Sequence, residues 1–301
     1  MTLTSLFNPS TFFFFNLLEF SILNFFFFIV RFFHSNGASF FFIVIILHIF
    51  RNLHFFSFIK KKLFSRGILI YLILIITSFF GYVLPWGQIS FWGRRVITNF
   101  LRVISIEIVF FLWGDFIPRD KMIFFFFCLH FILPFIILIL RNFHIFFLYF
   151  ATSSSIIFKK IKKKKNLIFF FFKDINNIFL IAIFYTFIFI FIYKIGDCEN
   201  FIERNKMITP NHIKPEWYFL WAYRILRCIP SKLGGVLILI LRIFFFLKFI
   251  FFNKNFFNKK KTIIFFFLLL LLTFLGGQVV EIPYIIFRQF FTILYFIIII
   301  F

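Results

Sequence analysis

Apolar residues run through the chain in stretches of about 20, separated by short polar or basic segments. A helix that crosses a bilayer needs about 20 such residues. The pattern therefore predicts an all-α membrane protein: a transmembrane helix bundle with about seven spanning helices and with surface helices in the loops. The predicted spans are residues 31–56, 66–85, 122–150, 173–195, 219–250, 262–280 and 284–301.

Two segments depart from this pattern. Residues 11–30 are apolar, but Asn16, Glu19 and other polar residues recur through them, so we expect a surface helix there. Pro230 and the pair Gly234-Gly235 interrupt the predicted span 219–250. Because proline removes a helical hydrogen bond, we expect a spanning helix there that is preceded by a re-entrant or surface segment.

The composition and the charge agree with a bilayer environment. Hydrophobic residues make up 63% of the chain and charged residues only 14%. The net charge of +23 would suggest nucleic-acid binding in a soluble protein. Here the lysines cluster in loops between predicted spans, at 60–62, 159–165 and 254–261, so no nucleic-acid partner is expected. The positive-inside rule places these loops on one side of the membrane. The long loops 86–121 and 196–218 then lie on the other side.

The 66 phenylalanines indicate a further property of the source genome. Phenylalanine is tolerated wherever a lipid-facing surface needs only to be apolar, and its codons are rich in A and T. We interpret the excess as drift in an organellar genome.

Four histidines form two pairs with the same spacing. His34 and His48 lie 14 residues apart in the first predicted span, and His130 and His144 lie 14 apart in the third. Fourteen helical residues rise about 21 Å and return close to the starting face. Spans one and three run parallel, so His34 is level with His130, and His48 is level with His144. Opposed imidazoles on facing helices are how a helix bundle holds a six-coordinate haem. A single membrane histidine is more often a core or ion-path residue, but the repeated spacing favours ligation.

Glycines and arginines fall at matching positions. Gly67 and Gly81 in the second span are also 14 residues apart, and Gly37 follows His34 closely. Glycine lets a flat macrocycle approach a helix backbone, so haem edges would explain all three. Arg31 and Arg51 bracket the first span and are candidates to pair with haem propionates. Ordinary snorkelling to the membrane surface is the alternative for both arginines.

Six motifs that are spread over nearly the whole chain resemble mitochondrial cytochrome b. This family provides the di-haem subunit of the cytochrome bc complex, which is respiratory complex III. The motifs are HSNGAS at 34–39, GYVLPWGQISFWG at 81–93, HFILPF at 130–135, HIKPEWYFL at 212–220, IPSKLGG at 229–235 and GGQVVEIPY at 276–284.

The resemblance implies a subunit of quinol–cytochrome c reductase in the mitochondrial inner membrane. It would carry two non-covalent haems b, oxidise quinol at one face and reduce quinone at the other, and so contribute to proton translocation. His34 and His130 would ligate the iron of the haem near the quinol-oxidation face, and His48 and His144 that of the other haem. The implied partners are a Rieske iron–sulfur protein, a cytochrome c-type subunit, other subunits of a homodimeric complex III and membrane lipids.

The resemblance also assigns the two quinone sites. Glu216, in the Pro-Glu-Trp-Tyr motif at 215–218, would take a proton from quinol. Tyr82, Gly93 and Tyr223 match positions that line the same pocket. Asp174 and Ser153 match quinone-reduction residues on the opposite face. The implied division is 1–30 as an N-terminal surface segment, 31–150 as haem-binding helices, and 151–301 as C-terminal helices with the quinol-oxidation loop.

The chain departs from the family pattern in three places. Tyr149 stands where the family usually has a histidine near the quinone-reduction site, so we expect Tyr149 or a water to replace it. Arg94 and Arg95 stand where small residues are usual. The family also begins with another spanning helix, and we expect that place to be filled by a separately encoded fragment, by another subunit or by residues 11–30.

Two other interpretations compete with this one. A structural or ion-conducting membrane subunit would show no b-type absorption band. A degenerate copy would be unlikely to retain both histidine pairs together with the Pro-Glu-Trp-Tyr motif.

Overall fold

The computed structural model describes residues 25–113, 120–151, 175, 178–186, 196–251, 258–279 and 281–300. Nearly all of these residues are helical, and their only isolated β-bridge joins Gly87 to Glu203. The α-helices are α1 (Phe25–His54), α2 (Lys61–Val83), α3 (Gln88–Leu101), α4 (Ile106–Trp113), α5 (Asp120–Ala151), α6 (Trp217–Leu226), α7 (Lys232–Phe251), α8 (Lys259–Gly276) and α9 (Tyr284–Ile300). Residues 178–186 are also helical. The predicted all-α fold is confirmed.

Three of the described helices are long and apolar enough to cross a membrane: Ile29–His54, Lys61–Val83 and Met122–Phe150. The face of α5 that includes Phe131, Phe135 and Ile139 is more than half exposed. Such a face is stable only against hydrocarbon or against another apolar surface. The chain is a multi-pass membrane protein, and seven spans stay a prediction.

Several element boundaries differ from those predicted. Helix α1 begins at Phe25, inside the segment predicted to lie on the surface, while residues 11–24 are outside the described part of the chain. The predicted span 219–250 is two helices, α6 and α7, separated by residues 227–231. Pro230 lies at this break, whereas Gly234 and Gly235 lie inside α7. A Cβ on Gly235 would lie 2.1 Å from the backbone oxygen of Leu226, so glycine is what lets α7 begin this close to α6.

Two of the three apolar clusters among the described residues hold most of these helices together. Helices α2 and α5 join through buried Phe80, Val83 and Phe126, with Trp86 from the α2–α3 corner. Helices α6, α8 and α9 pack with the end of α1 in a second cluster, whose buried members are Leu53, Phe58, Trp221, Ile225, Phe265, Leu268, Leu272, Tyr295 and Ile299. The first cluster fixes α2 against α5, the two helices that carry the paired glycines and two of the four histidines.

The loop before α6 is hydrogen-bonded to the start of α3. Gln88 accepts from the backbone of Asn205 at 2.6 Å and donates to the carbonyl of Ile208 at 2.6 Å. The backbone N–H of Ser90 donates to the Asn200 side chain at 3.1 Å. A Cβ on Gly87 would lie 2.1 Å from the Asn200 carbonyl oxygen, so only glycine permits this contact. These bonds bring together the two long loops that the charge pattern placed on one side.

Candidate functional site

His34 and His130 form the first pair, on α1 and α5. Their ring centroids are 5.9 Å apart and their planes are inclined by 76°. The Nδ1 of His130 lies 2.8 Å from the backbone oxygen of Thr77. A carbonyl oxygen can only accept, so Nδ1 carries the proton and Nε2 keeps a free lone pair. The structure thus presents His130 in the tautomer that binds a metal through Nε2.

His48 and His144 form the second pair. They lie on the same two helices, near enough to interact electrostatically. The Nε2 of His48 accepts a hydrogen bond from the side-chain amide of Asn52 at 3.1 Å. The Nδ1 of His144 is buried and has no hydrogen-bond partner among the described residues. The contact with Asn52 therefore fixes the tautomer of His48 but occupies its Nε2 lone pair, whereas the described residues leave the His144 ring without a fixing contact.

Gly81 and Gly67 on α2 face these same histidines. A Cβ on Gly81 would lie 2.4 Å from Cε1 of His130, and one on Gly67 would lie 3.4 Å from Cε1 of His144. The sequence interpretation placed haem edges beside these glycines, and the structure shows that the imidazole of a candidate haem ligand lies against each of them. The 14-residue repeat of the glycines thus follows the 14-residue repeat of the histidines on the neighbouring helix.

The residues of the first pair fit a bis-histidine haem. A metal–imidazole bond is about 2 Å, so two rings that bind one ion from opposite sides have centroids roughly 6 Å apart. The observed 5.9 Å matches that separation. Gly37, one turn after His34, has no atom of the described residues within 4 Å of the position a Cβ would take. The described residues thus leave room for a flat ring beside this histidine pair.

The arginines are divided between the two pairs. Arg51 is exposed, contacts the ring of Phe55 at 5.8 Å and acts electrostatically on His48. Arg31 is half-buried near the first pair. Sequence reasoning missed Arg66, whose guanidinium stacks on Phe147 at 3.4 Å and acts on His144. The only sequence signal for Arg66 was its position directly before Gly67.

Tyr82, Gly93 and Tyr223 line one pocket, as the resemblance implied, although they come from α2, α3 and α6. The Tyr223 hydroxyl donates to the carbonyl of Ile213 at 3.2 Å, which ties α6 to the preceding loop. The full lining is Phe79, Tyr82, Gly93, Arg94, Val96, Ile97, Ile213, Pro215, Phe219 and Tyr223. The wall is mainly apolar and aromatic, which suits a hydrophobic ring substrate with a few polar groups.

Glu216 directly follows the pocket residue Pro215 and precedes the first turn of α6. It makes no side-chain cap hydrogen bond, so helix capping does not account for the carboxylate. Burial and, to a smaller extent, the charge of Asp197 raise its pKa to about 7, while Lys214 opposes the shift. Lys214 lies 3.9 Å from Asp197. A carboxylate with this pKa can accept and release a proton near neutral pH.

The two aromatic residues after Glu216 fix the start of α6 against α1. The ring of Tyr218 stacks on Phe42 with centroids 4.2 Å apart and planes 5° apart. The indole N–H of Trp217 donates to the hydroxyl of Ser39 at 3.2 Å. Because α1 also carries His34 and His48, the same helix positions both the histidines and the carboxylate segment.

Arg94, one of the departures from the family pattern, lies in the pocket wall with only 1% of its surface exposed. Its guanidinium packs over the rings of Trp86 and Phe91, at 4.6 and 4.9 Å. Burial and the nearby Arg204 and Arg95 lower its pKa to about 9. The group therefore stays positive at neutral pH and adds a cation to an otherwise apolar wall.

The second quinone site cannot be assembled from the described residues. Ser153 and Asp174 lie outside them. Tyr149, near the end of α5, is 80% exposed.

Comparisons with known proteins agree with this arrangement. A family model described as "Cytochrome b/b6/petB" matches residues 1–152, and one described as "Cytochrome b(C-terminal)/b6/petD" matches residues 203–296. Cytochrome b of the honeybee Apis mellifera ligustica is 41% identical, over 83% of this chain and 69% of that protein. A chain of the solved structure "Hyperthermophilic respiratory Complex III" is 27% identical with a TM-score of 0.87, over 99% of this chain and 85% of that chain. The chain therefore belongs to the cytochrome b family, whose haem-binding character it shares. It is the transmembrane electron-transfer subunit of a quinol–cytochrome c reductase, respiratory complex III, and other subunits of that complex are its partners.

Proposed function

We propose that this subunit binds two haems b, one at each histidine pair, and that it oxidises quinol beside Glu216 and reduces quinone on the opposite face. The observation that carries the proposal is the juxtaposition of His34 and His130 on two helices that each bear a second histidine 14 residues further on. Bound haem b supplies one-electron transfer across the membrane.

The histidines and glycines would hold the two cofactors at two depths. His34 and His130 would bind the first iron, with Thr77 fixing the His130 tautomer. His48 and His144 would bind the second iron, and the Nε2 of His48 would be available to it only without the hydrogen bond from Asn52. Arg31 lies near the first pair, and Arg51 and Arg66 lie near the second, where cations would stabilise propionates.

Glu216 would be the proton acceptor for quinol oxidation. The aromatic pocket beside Pro215 holds the quinol ring and excludes water, while Tyr82 lies within electrostatic range of the carboxylate. With a pKa near 7, Glu216 is partly ionised at neutral pH and can take the hydroxyl proton as the electron leaves. Its exposure is intermediate, so it can pass the proton on to water.

The remaining parts of the proposal follow the family. Quinone reduction uses Asp174 and Ser153, with Tyr149 or a water in place of the usual histidine. The first electron goes to a Rieske iron–sulfur protein and on to a cytochrome c-type subunit. The complex is a homodimer in the mitochondrial inner membrane, and residues 31–150 and 151–301 form the haem-binding and quinol-oxidation parts.

The test is the pH profile of quinol–cytochrome c turnover in the purified complex. Glu216→Gln removes the base, so kcat/KM falls by about 100-fold or more and its acidic limb disappears. Glu203→Gln, an exposed carboxylate of the same loop, is the matched control and leaves the profile unchanged. An unchanged rate and profile in Glu216→Gln removes the proton role.

Two neighbouring charges should move the limb in opposite directions. Asp197 raises the pKa of Glu216, so Asp197→Asn lowers that pKa and shifts the acidic limb to lower pH. Lys214 lowers it, so Lys214→Met shifts the limb to higher pH. Shifts in the same direction would show that another group titrates.

A further inference from the structure

A second pocket lies where the end of α6, the turn 227–231, the start of α7 and the start of α9 meet. Its volume is about 350 Å³, within the range of roughly 300–1,000 Å³ that is usual for ligand sites. The lining is Phe100, Arg224, Leu226, Arg227, Cys228, Ile229, Pro230, Ser231, Lys232, Ile285, Arg288 and Gln289. It shares no residue with the pocket beside Pro215.

Four of these residues are cationic, namely Arg224, Arg227, Lys232 and Arg288, and none of the described lining residues is acidic. Two of the four are almost fully buried, because Arg224 is 1% and Arg288 is 3% exposed. The other two are exposed at the rim. Like charges this close repel one another in a region of low dielectric.

The buried guanidinium groups have N–H donors without acceptors. Nε and Nη2 of Arg224 and Nε of Arg288 are buried and have no hydrogen-bond partner in the part of the chain that the structure describes. Arg288 is held in place because its Nη2 donates to the carbonyls of Gln278 and Val279. Arg227 donates to the Tyr223 hydroxyl at 2.7 Å.

Arg224 stays charged despite this environment. Burial, together with Arg288 and Arg227, lowers its pKa to about 9, which is still above neutrality. A buried charge without a counter-charge is strongly unfavourable. An anion in the pocket would supply both the missing charge and the missing acceptors.

We propose that this pocket binds a phosphate group. Arginine forks match phosphate oxygens with paired hydrogen bonds, and four cations suit a group that carries more than one oxygen acceptor and up to two charges. The pocket also lies at the first turns of α7 and α9, where free backbone N–H groups and the helix dipole attract anions. The phosphate belongs either to an anionic phospholipid or to the free ion. Phe100, Leu226 and Ile285 would allow acyl chains to leave along an apolar wall.

The site would stabilise the segment that carries the proposed proton acceptor. Arg224 lies on α6, the helix that begins directly after Glu216, while Arg288 lies on α9. A phosphate between them would join α6 to α9 beside the turn 227–231. The inference does not depend on the proposed role of Glu216, since it concerns binding rather than turnover.

The experiment uses the purified complex after detergent delipidation. Thermal unfolding is measured with sodium phosphate and, separately, with micelles that contain phosphatidylglycerol or uncharged phosphatidylcholine. Stabilisation by phosphatidylglycerol alone identifies a lipid headgroup, and stabilisation by sodium phosphate identifies the free ion. No stabilisation by either, or equal stabilisation by phosphatidylcholine, overturns the proposal.

Variants at the exposed rim avoid disturbing the buried core. The double variant Arg227→Gln/Lys232→Gln should weaken binding of the effective probe at least tenfold, because it removes two charge-assisted contacts. The matched control Lys259→Gln/Lys260→Gln removes two exposed charges at the start of α8 and should leave binding unchanged. Equal weakening in both variants would mean nonspecific attraction to a basic surface and would overturn the proposal.

Discussion

The two histidine pairs occupy equivalent places on α1 and α5, yet the structure prepares them differently. In the first pair the rings are 5.9 Å apart, His130 is fixed by Thr77, and Gly81 has no room for a Cβ. In the second pair Nδ1 of His144 has no partner among the described residues, His48 is hydrogen-bonded to Asn52, and Gly67 is less crowded. Equal sequence spacing therefore creates equivalent depths but not equal preorganisation.

The largest effect should come from removing one ligand of each pair. His130→Leu should lose the haem of the first pair, and His144→Leu that of the second, because leucine is similar in bulk but cannot ligate iron. Both variants should abolish quinol–cytochrome c turnover. The reduced-minus-oxidised spectrum of each purified complex should show half of the b-type absorbance. Loss of the same b-type absorbance component in both variants would contradict the assignment of one haem to each histidine pair.

A smaller and unequal effect is expected at the two glycines. In Gly81→Ala the new methyl group would overlap the His130 ring, which its hydrogen bond holds in place; such overpacking typically costs about 1–3 kcal/mol. We expect that variant to lose much of the first haem. Gly67→Ala meets His144 at ordinary contact distance and should keep both haems. The measurement is the haem content per subunit of each variant. Equal haem losses in the two variants would contradict the difference in crowding between Gly81 and Gly67.

The smallest effect should follow from Asn52→Leu. This change removes the hydrogen bond that occupies the His48 lone pair, which is worth about 1 kcal/mol. Haem binding at the second pair should strengthen about fivefold. Haem titration of the cofactor-depleted complex measures this affinity, with Asn142→Leu on exposed α5 surface as control. Weaker binding in Asn52→Leu would show that Asn52 supports the site.

The features that the sequence revealed are those governed by helical repeat. The 14-residue spacing of histidines and glycines predicts which residues share a depth, and the structure brings His34 beside His130. Pro230 likewise marks the break between α6 and α7. Each signal is local, since it depends only on the geometry of one helix.

The features that sequence reasoning missed depend on distant contacts. The partner of His130 is the backbone oxygen of Thr77, which any residue type would provide. Arg224 and Arg288 are 64 positions apart in the chain (288 − 224) and line the same pocket only because α6 and α9 both pack against α8. The predicted span 31–56 lies within two residues of the apolar span Ile29–His54, but the helix itself begins at Phe25, and the polar residues before residue 31 gave no sign of that earlier start.

An optical redox titration of the purified complex, combined with haem and subunit quantification, tests the central claim most directly. Two ligand pairs with different surroundings predict two haems b per chain, which titrate at two distinct midpoint potentials. One haem per chain, or a spectrum without a b-type band, would contradict the account.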